Sequence, residues 1–83
     1  MPAQPERPER ILYMRRVIGE NVRDARLRAN LTQEKLAERA ELSRDSVIRT
    51  ETGVRSARLD WLIAIADAIG VPLSHLMREP YQR

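Results

Sequence analysis

The chain has 83 residues, a formal net charge of +3 and no cysteine, with 42% hydrophobic and 33% charged residues. This length suits one domain with a small core, and the lack of cysteine excludes disulfides and thiolate metal sites. No apolar run approaches the length of a signal peptide or a membrane-spanning helix, so we expect a cytoplasmic protein without membrane contact.

The N-terminal residues contain three prolines and alternating charges, which is typical of a solvated segment. We therefore predict a flexible N-terminal arm over residues 1–9, a folded domain over residues 10–78 and a C-terminal tail over residues 79–83. Apolar positions at helical spacing over residues 11–25 indicate a long first helix. Asn30 is expected to end this helix, because asparagine tolerates the left-handed conformation that a helix C-terminus needs.

Two short helical patterns follow, separated only by residues 41–43. The hydroxyls of Thr32 and Ser43 can cap the first turns of these two helices. A connection of about three residues forces the helices to cross steeply, so the second can protrude from the domain. The positions predicted to point inward are Leu36, Ala37, Ala40, Leu42 and Val47.

The remainder of the chain predicts two further helices. Residues 59–69 carry an apolar stripe that Gly70 ends, and residues 72–77 are long enough for one or two turns before Pro80. No strand pattern or internal repeat occurs, which predicts an all-α protein with five helices.

The protruding third helix has an outward face suited to DNA. If Val47 points inward, the 100° step per helical residue turns Arg44 and Arg49 toward the other side. Residues 42–58 carry a net charge of +2, and fourteen of the fifteen basic residues of the chain are arginines, a side chain that contacts phosphate and guanine in a bidentate manner. This helix could therefore enter a major groove.

The order and spacing of several motifs extend this pattern along the chain. They are Ile18-Gly19, Arg26, TQEKLA from Thr32, Leu42-Ser43, Val47, Glu51-x-Gly53, LIAIADAIGV from Leu62, and Leu76-Met77. Over residues 18–77 the chain resembles the Cro and phage-repressor type of helix-turn-helix domain, also called the XRE family of DNA-binding regulators. The resemblance implies a compact five-helix lambda-repressor-like domain with the helix-turn-helix at helices 2 and 3.

The resemblance also implies which residues contact DNA, with helix 3 reading bases and the helix starts and following loop binding phosphates. The base-reading candidates are Arg44, Asp45, Ser46 and Arg49, and the phosphate-binding candidates are Thr32, Gln33, Ser43, Thr52, Arg55, Ser56 and Arg58. Three alternatives stay open: the arginines could clamp phosphates only, Asp45 could orient an arginine, and Gln33 and Ser43 could act as helix caps. Arg7 and Arg10 could reach a phosphate backbone or a minor groove, unless the arm is simply disordered.

Two structural roles come from the same resemblance. Arg26 and Glu51 are expected to form a partly buried ion pair between the first and third helices, the alternative being two separate surface charges. The predicted dimer contact consists of Trp61, Leu76 and Met77, with ordinary core packing as the alternative. The single histidine, without a cysteine or a second histidine, makes no convincing metal site, and no cofactor is expected.

Three positions depart from the family pattern. Ile48 and Thr50 invert its usual order of a polar and then an apolar residue, which affects the exact facing of the third helix. Glu41 replaces a glycine that often has a positive φ, and a slightly different turn would avoid the strain.

The sequence thus predicts a sequence-specific DNA-binding transcriptional regulator, a repressor or an autoregulating controller, that binds a pseudo-palindromic operator on double-stranded DNA as a homodimer in the nucleoid. Glu34 and Glu38 could contact RNA polymerase. The alternative is an antitoxin or protein-interaction adaptor built on the same helices. An enzyme is not expected, because no phosphate loop, paired carboxylates or nucleophile and base arrangement occurs.

Overall fold

The computed structural model describes residues 7–80, which form five helices without a strand in that range. They are α1 (Arg7–Arg28), α2 (Gln33–Ala40), α3 (Arg44–Thr52), α4 (Leu59–Ile69) and α5 (Leu73–Met77). The predicted all-α five-helix fold is confirmed. Within this range no helix is long and apolar enough to cross a membrane.

Helix α1 begins earlier than the sequence predicted. It starts at Arg7, so residues 7–9 are helical and the predicted arm over residues 1–9 is too long at its C-terminal end. Pro8 is compatible with this start because the N–H groups of a first helical turn have no partner within the helix, and Glu9 complements the positive end of the helix dipole. The rest of the arm and residues 81–83 lie outside the described residues.

Every one of the five helices contributes a fully buried side chain to the core. Its largest fully buried residues are Val22 of α1, Leu36 of α2, Val47 of α3, Ile65 of α4 and Leu76 of α5. The prediction that Leu76 belongs to a dimer contact is therefore wrong, because its side chain is fully enclosed by its own domain. The short α5 thus closes the core and leaves Met77, at 38% exposure, as its outward apolar residue.

The crossing of α1 and α3 depends on a glycine. A Cβ added at Gly19 would lie 2.6 Å from the carbonyl oxygen of Thr50, closer than any stable carbon–oxygen contact. Backbone atoms of a packed helix cannot move aside as a flexible side chain can, so only glycine allows this close approach. The approach brings α3 against the domain and orients its outer face.

The predicted helix ends are present in the structure. The Thr32 hydroxyl accepts a hydrogen bond from the backbone N–H of Lys35 at 3.0 Å, and the Ser43 hydroxyl accepts one from that of Ser46 at 3.0 Å. Asn30 has φ of 60°, the left-handed conformation expected of it. Local sequence therefore fixes both starts of the helix pair, as capping energetics require.

In the turn between α2 and α3, Glu41 adopts the left-handed conformation that a glycine would favour. Glu41 has φ of 58° and ψ of 42°, and the backbone N–H of Leu42 donates to the carbonyl of Ala37 at 2.9 Å. The expectation of a different, unstrained turn is therefore wrong. The left-handed residue satisfies the last carbonyls of α2, and this gain outweighs the clash of a Cβ in that conformation.

Replacing Glu41 by glycine should stabilise the protein. We expect Glu41→Gly to raise the free energy of unfolding by about 1 kcal/mol, because glycine has no Cβ to clash at positive φ. Chemical denaturation followed by circular dichroism or by tryptophan fluorescence measures this free energy. The matched control is Arg39→Gly in the last turn of α2, which should lower the stability by about 1 kcal/mol. Equal destabilisation by both substitutions would contradict the strain at Glu41.

Candidate nucleic-acid interface

A buried ion pair fixes α3 to α1. The Arg26 Nε lies 2.6 Å from Glu51 Oε2, Nη2 donates to Oε1 at 3.1 Å, and the two side chains are only 9% and 3% exposed. The remaining Arg26 Nη1 donates to the Leu31 carbonyl at 2.9 Å. This fork geometry pairs both carboxylate oxygens with donors, which a buried charge requires.

The N-terminus of α2 joins the same network. The Gln33 Nε2 donates to Glu51 Oε1 at 3.1 Å, so Glu51 receives bonds from both α1 and α2. The side-chain amide of Gln33 is thus partly committed to the ion pair, while the residue remains half-buried at the first position of α2. The network therefore fixes α2 and α3, which carry candidate DNA contacts, against α1.

The outer face of α3 carries two exposed arginines, each beside an acid. Arg49 Nε lies 2.8 Å from Asp45 Oδ2 within α3, and Arg44 Nε lies 3.2 Å from Glu34 Oε2 of α2. All four side chains are 46% exposed or more. Exposed pairs of this kind contribute little to stability, so a nucleic acid can replace the acids at low cost. The alternative role of Asp45 in orienting an arginine fits this geometry.

The pairing of Arg44 with Glu34 was not expected from the sequence. The two residues lie on different helices ten positions apart, and no local spacing rule connects them. Only the crossing of α2 over α3 brings them together. The contact restrains Arg44 in the absence of DNA and places a negative charge at the edge of the candidate interface.

The serine and threonine candidates keep part of their hydrogen-bonding capacity. The hydroxyls of Ser43 and Ser46 lie 2.8 Å apart, and the Thr52 hydroxyl donates to the Arg49 carbonyl at 3.2 Å. A hydroxyl has one donor and two acceptor positions. Ser43 and Thr52 are exposed, so a phosphate oxygen can still approach them.

The loop after α3 supplies further positive charge. Gly53 ends α3 with φ of 70°, and Arg55, Ser56 and Arg58 are exposed beyond it. The Arg58 guanidinium lies 5.9 Å from the centroid of the Trp61 ring. Arg58 therefore has a cation–π contact, whereas Arg55 has no ion pair or hydrogen bond with any residue that the structure describes.

The departures at Ile48 and Thr50 have a simple structural explanation. Thr50 is 3% exposed, and its hydroxyl donates to the Ser46 carbonyl at 2.8 Å, so the polar group is satisfied inside the helix. Ile48 is half-buried beside the fully buried Val47. The facing of α3 is thus that expected from Val47, and the unusual pair does not rotate the helix.

Two contacts between α1 and residues 76–79 could not be predicted from the sequence pattern. Arg10 forms a bidentate ion pair with Glu79, at 2.5 and 3.1 Å, and hydrogen bonding to Glu79 raises the pKa of Arg10 while lowering that of Glu79. Asn21 donates to the carbonyls of Leu76 at 2.9 Å and Arg78 at 2.8 Å. Arg10 is therefore part of α1 and joined to the end of the domain, contrary to its predicted role in a flexible arm.

The predicted dimer residues do not act together. Trp61 is half-buried under Arg58, Met77 is exposed, and Leu76 belongs to the core. Ile63 of α4 is 41% exposed and adds an outward apolar residue that the sequence did not single out. Among the described residues no group of three or more histidine, aspartate or glutamate side chains could hold a metal ion.

Comparison with known proteins identifies a family and similar solved structures. A family model described as a helix-turn-helix domain matches residues 17–78. The restriction-modification controller protein C.AhdI from Aeromonas hydrophila superposes with a TM-score of 0.72 at 29% identity, over 75% of this chain and 94% of that one. The clp gene regulator ClgR from C. glutamicum superposes with a TM-score of 0.71 at 22% identity, over 76% of this chain and 82% of that one. No curated protein sequence matches the chain.

Proposed function

The chain belongs to the helix-turn-helix domain family of DNA-binding regulators, and we propose that it is a sequence-specific transcriptional regulator that binds a pseudo-palindromic operator as a homodimer. In this proposal α3 enters the major groove. The observation that carries it is the outer face of α3, where Arg44 and Arg49 are exposed while Glu51, on the inner face, is held by Arg26. A rigid helix that presents exposed guanidinium groups is what base reading requires.

Base reading by α3 follows from the chemistry of its arginines. A guanidinium can donate two hydrogen bonds to O6 and N7 of guanine, and each such pair discriminates by about 1 to 3 kcal/mol. Binding would replace Glu34 and Asp45, as partners of the two arginines, by acceptors of guanine or phosphate. The released carboxylate of Asp45 can then accept from cytosine N4. Ser46, beside Ser43 at the first turn of α3, is a further base contact in this proposal.

Phosphate contacts would position α3 in the groove. The starts of α2 and α3 present backbone N–H groups and the positive ends of two helix dipoles, through Thr32, Gln33 and Ser43. The remaining proposed contacts are Thr52, Arg55, Ser56 and Arg58. These contacts carry no sequence information, and they should make the affinity depend strongly on salt.

Homodimer formation would place two α3 helices about 34 Å apart, in successive major grooves on one face of the duplex. Met77, Trp61 and Ile63 supply the outward apolar surface for such a contact. The similarity to a restriction-modification controller favours a repressor or an autoregulating controller, acting in the cytoplasm on nucleoid DNA. Glu34 and Glu38 are exposed and could contact RNA polymerase, although each also forms an ion pair with Arg44 or Lys35.

Selection of binding sites from random duplexes tests this function. We expect an enriched motif with two inverted half-sites, centred about one helical turn or 10 base pairs apart. The absence of any enriched motif would refute sequence-specific recognition. A single unrepeated half-site would refute the dimer while leaving base reading intact.

The competing function is an antitoxin or protein-interaction adaptor. It is favoured by Ile11 and Leu12, which are 45% and 48% exposed on the N-terminal part of α1. A protein of this class would bind a partner through α1 and show weak, salt-sensitive binding to all duplexes alike. The same selection distinguishes the two functions, because only a base-reading protein enriches a motif.

A further inference from the structure

A groove of about 370 Å³ lies between α1, the loop after α3 and the start of α4. Its walls are largely apolar and include Ile11, Met14 and Ile18 from one side, with Leu59 and Leu62 from the other. A space of this size falls within the range of small-molecule sites. The exposed fractions of Ile11 and Leu59, 45% and 58%, show that the described chain covers these residues only in part.

Two arginines at this groove have unused donors. The Nε of Arg15 is buried and has no hydrogen-bond partner within residues 7–80, although a buried donor without a partner is costly. Arg55, which also lines the groove, forms no ion pair or hydrogen bond with any described residue. An apolar groove with two unpaired cations is complementary to a molecule that has a hydrocarbon body and an anionic end.

One wall of the groove is built by a part of the chain that precedes the family domain. The family model begins at residue 17, whereas Ile11, Met14 and Arg15 belong to the preceding turns of α1. The contact between Arg10 and Glu79 holds these turns against the end of the domain. The groove is therefore an addition that the helix-turn-helix itself does not require.

We propose that this groove binds an amphipathic small-molecule carboxylate, with its hydrocarbon body against Ile11, Met14 and Leu62 and its carboxylate on Arg15 and Arg55. The carboxylate supplies a counter-charge for the guanidinium of Arg15, which lines the groove. The hydrocarbon body covers apolar surface that is otherwise in contact with water. A neutral molecule of the same shape would gain only the burial of apolar surface.

The ligand would also act on DNA binding, a part of the proposal that rests on the proposed function. Arg55 is a proposed phosphate contact, and a carboxylate on its guanidinium neutralises that charge. Thr50, which lines the same groove, belongs to α3. The bound carboxylate would thus lower the affinity for operator DNA without touching the base-reading face.

The site is tested by titrating the full chain with octanoate and, separately, with 1-octanol. Two-dimensional NMR of the backbone amides monitors each titration. We expect octanoate to shift the amides of residues 10–18 and 55–62 saturably, with an affinity about tenfold or more above that of 1-octanol, as a charge-assisted hydrogen bond provides. Arg15→Gln and Arg55→Gln should each remove this preference. Arg23→Gln, an exposed arginine of α1 away from the groove, should retain it.

Several results would overturn the proposal. Equal binding of octanoate and 1-octanol would show an apolar surface without an anion site, and shifts spread over the whole domain would show non-specific binding. Shifts of the groove amides that depend on protein concentration without ligand would assign the groove to a second copy of the chain. Because Arg55 is exposed, Arg55→Gln keeps the test decisive even if Arg15→Gln impairs folding.

The effect on DNA binding is tested by measuring the affinity for the selected duplex with and without saturating octanoate. We expect the affinity to fall by severalfold in the wild type and to be unchanged by octanoate in Arg15→Gln. If octanoate binds in the groove but the affinity for DNA is unaltered, the regulatory part is wrong. If no duplex is bound under any condition, the proposed function fails while the ligand titration still decides the site.

Discussion

Truncation of Glu51 should destabilise the protein more than any surface substitution. We expect Glu51→Ala to lower the free energy of unfolding by about 3 to 5 kcal/mol, because it leaves the Arg26 guanidinium buried without its counter-charge. Gln33 loses its acceptor at the same time. For a domain of this length the melting temperature should fall by more than about 10 °C, measured by calorimetry or circular dichroism.

Two controls separate the burial of the charge from the loss of an ion pair in general. Asp24→Ala removes the partner of Arg28 in an exposed pair of 2.8 Å and should cost less than about 1 kcal/mol. The double variant Arg26→Met with Glu51→Leu replaces the buried pair by apolar groups and should be more stable than Glu51→Ala alone. If Glu51→Ala costs no more than Asp24→Ala, the network does not hold α3 in place.

Loss of Arg44 should weaken and broaden DNA recognition. For each half-site we expect Arg44→Ala to lower the affinity by about 5- to 150-fold, the equivalent of about 1 to 3 kcal/mol, and to relax the base preference at one position. The expected cause is the loss of the proposed bidentate contact to a guanine. Repeating the duplex selection and titration with the variant measures both effects.

Arg55 provides the contrast for this prediction. Arg55→Ala should weaken binding to all duplexes alike and reduce the slope of log affinity against log salt by about 0.9 for each protomer, or about 1.8 for a bound dimer, because only phosphate contacts are lost. Arg39→Ala, an exposed arginine of α2 outside the proposed interface, serves as the control for charge alone. Identical effects of Arg44→Ala and Arg55→Ala would contradict the division between base and phosphate contacts.

Much of the helix-turn-helix could be predicted because its information is local. Thr32 and Ser43 are capping residue types immediately before the helices that they cap, and Asn30 tolerates the conformation that it adopts. Leu36 and Val47 were placed inward by helical periodicity, which depends only on spacing along the chain. The family motifs added the contact between Arg26 and Glu51, which spacing by itself cannot give.

The sequence-based predictions that were wrong concern features that depend on packing between distant segments. Leu76 and Met77 are adjacent and both apolar, so only the packing of α5 against α1 and α4 decides that the first is buried and the second exposed. The beginning of α1 likewise reflects a contact across the domain, between Arg10 and Glu79. The Cβ of Glu41 is tolerated at positive φ because the crossing of α2 and α3 demands that turn.

The sequence by itself determined that this chain is a five-helix helix-turn-helix domain with an arginine-bearing third helix, since caps, periodicity and motif order act over a few residues. The tertiary structure alone decided that Glu34 accompanies Arg44 and that Gln33 shares the ion pair of Glu51. It also decided that the early turns of α1 enclose a groove beside Arg55. These features join residues on different helices. The distances between such residues depend on how the helices pack, and spacing along one helix does not determine that packing.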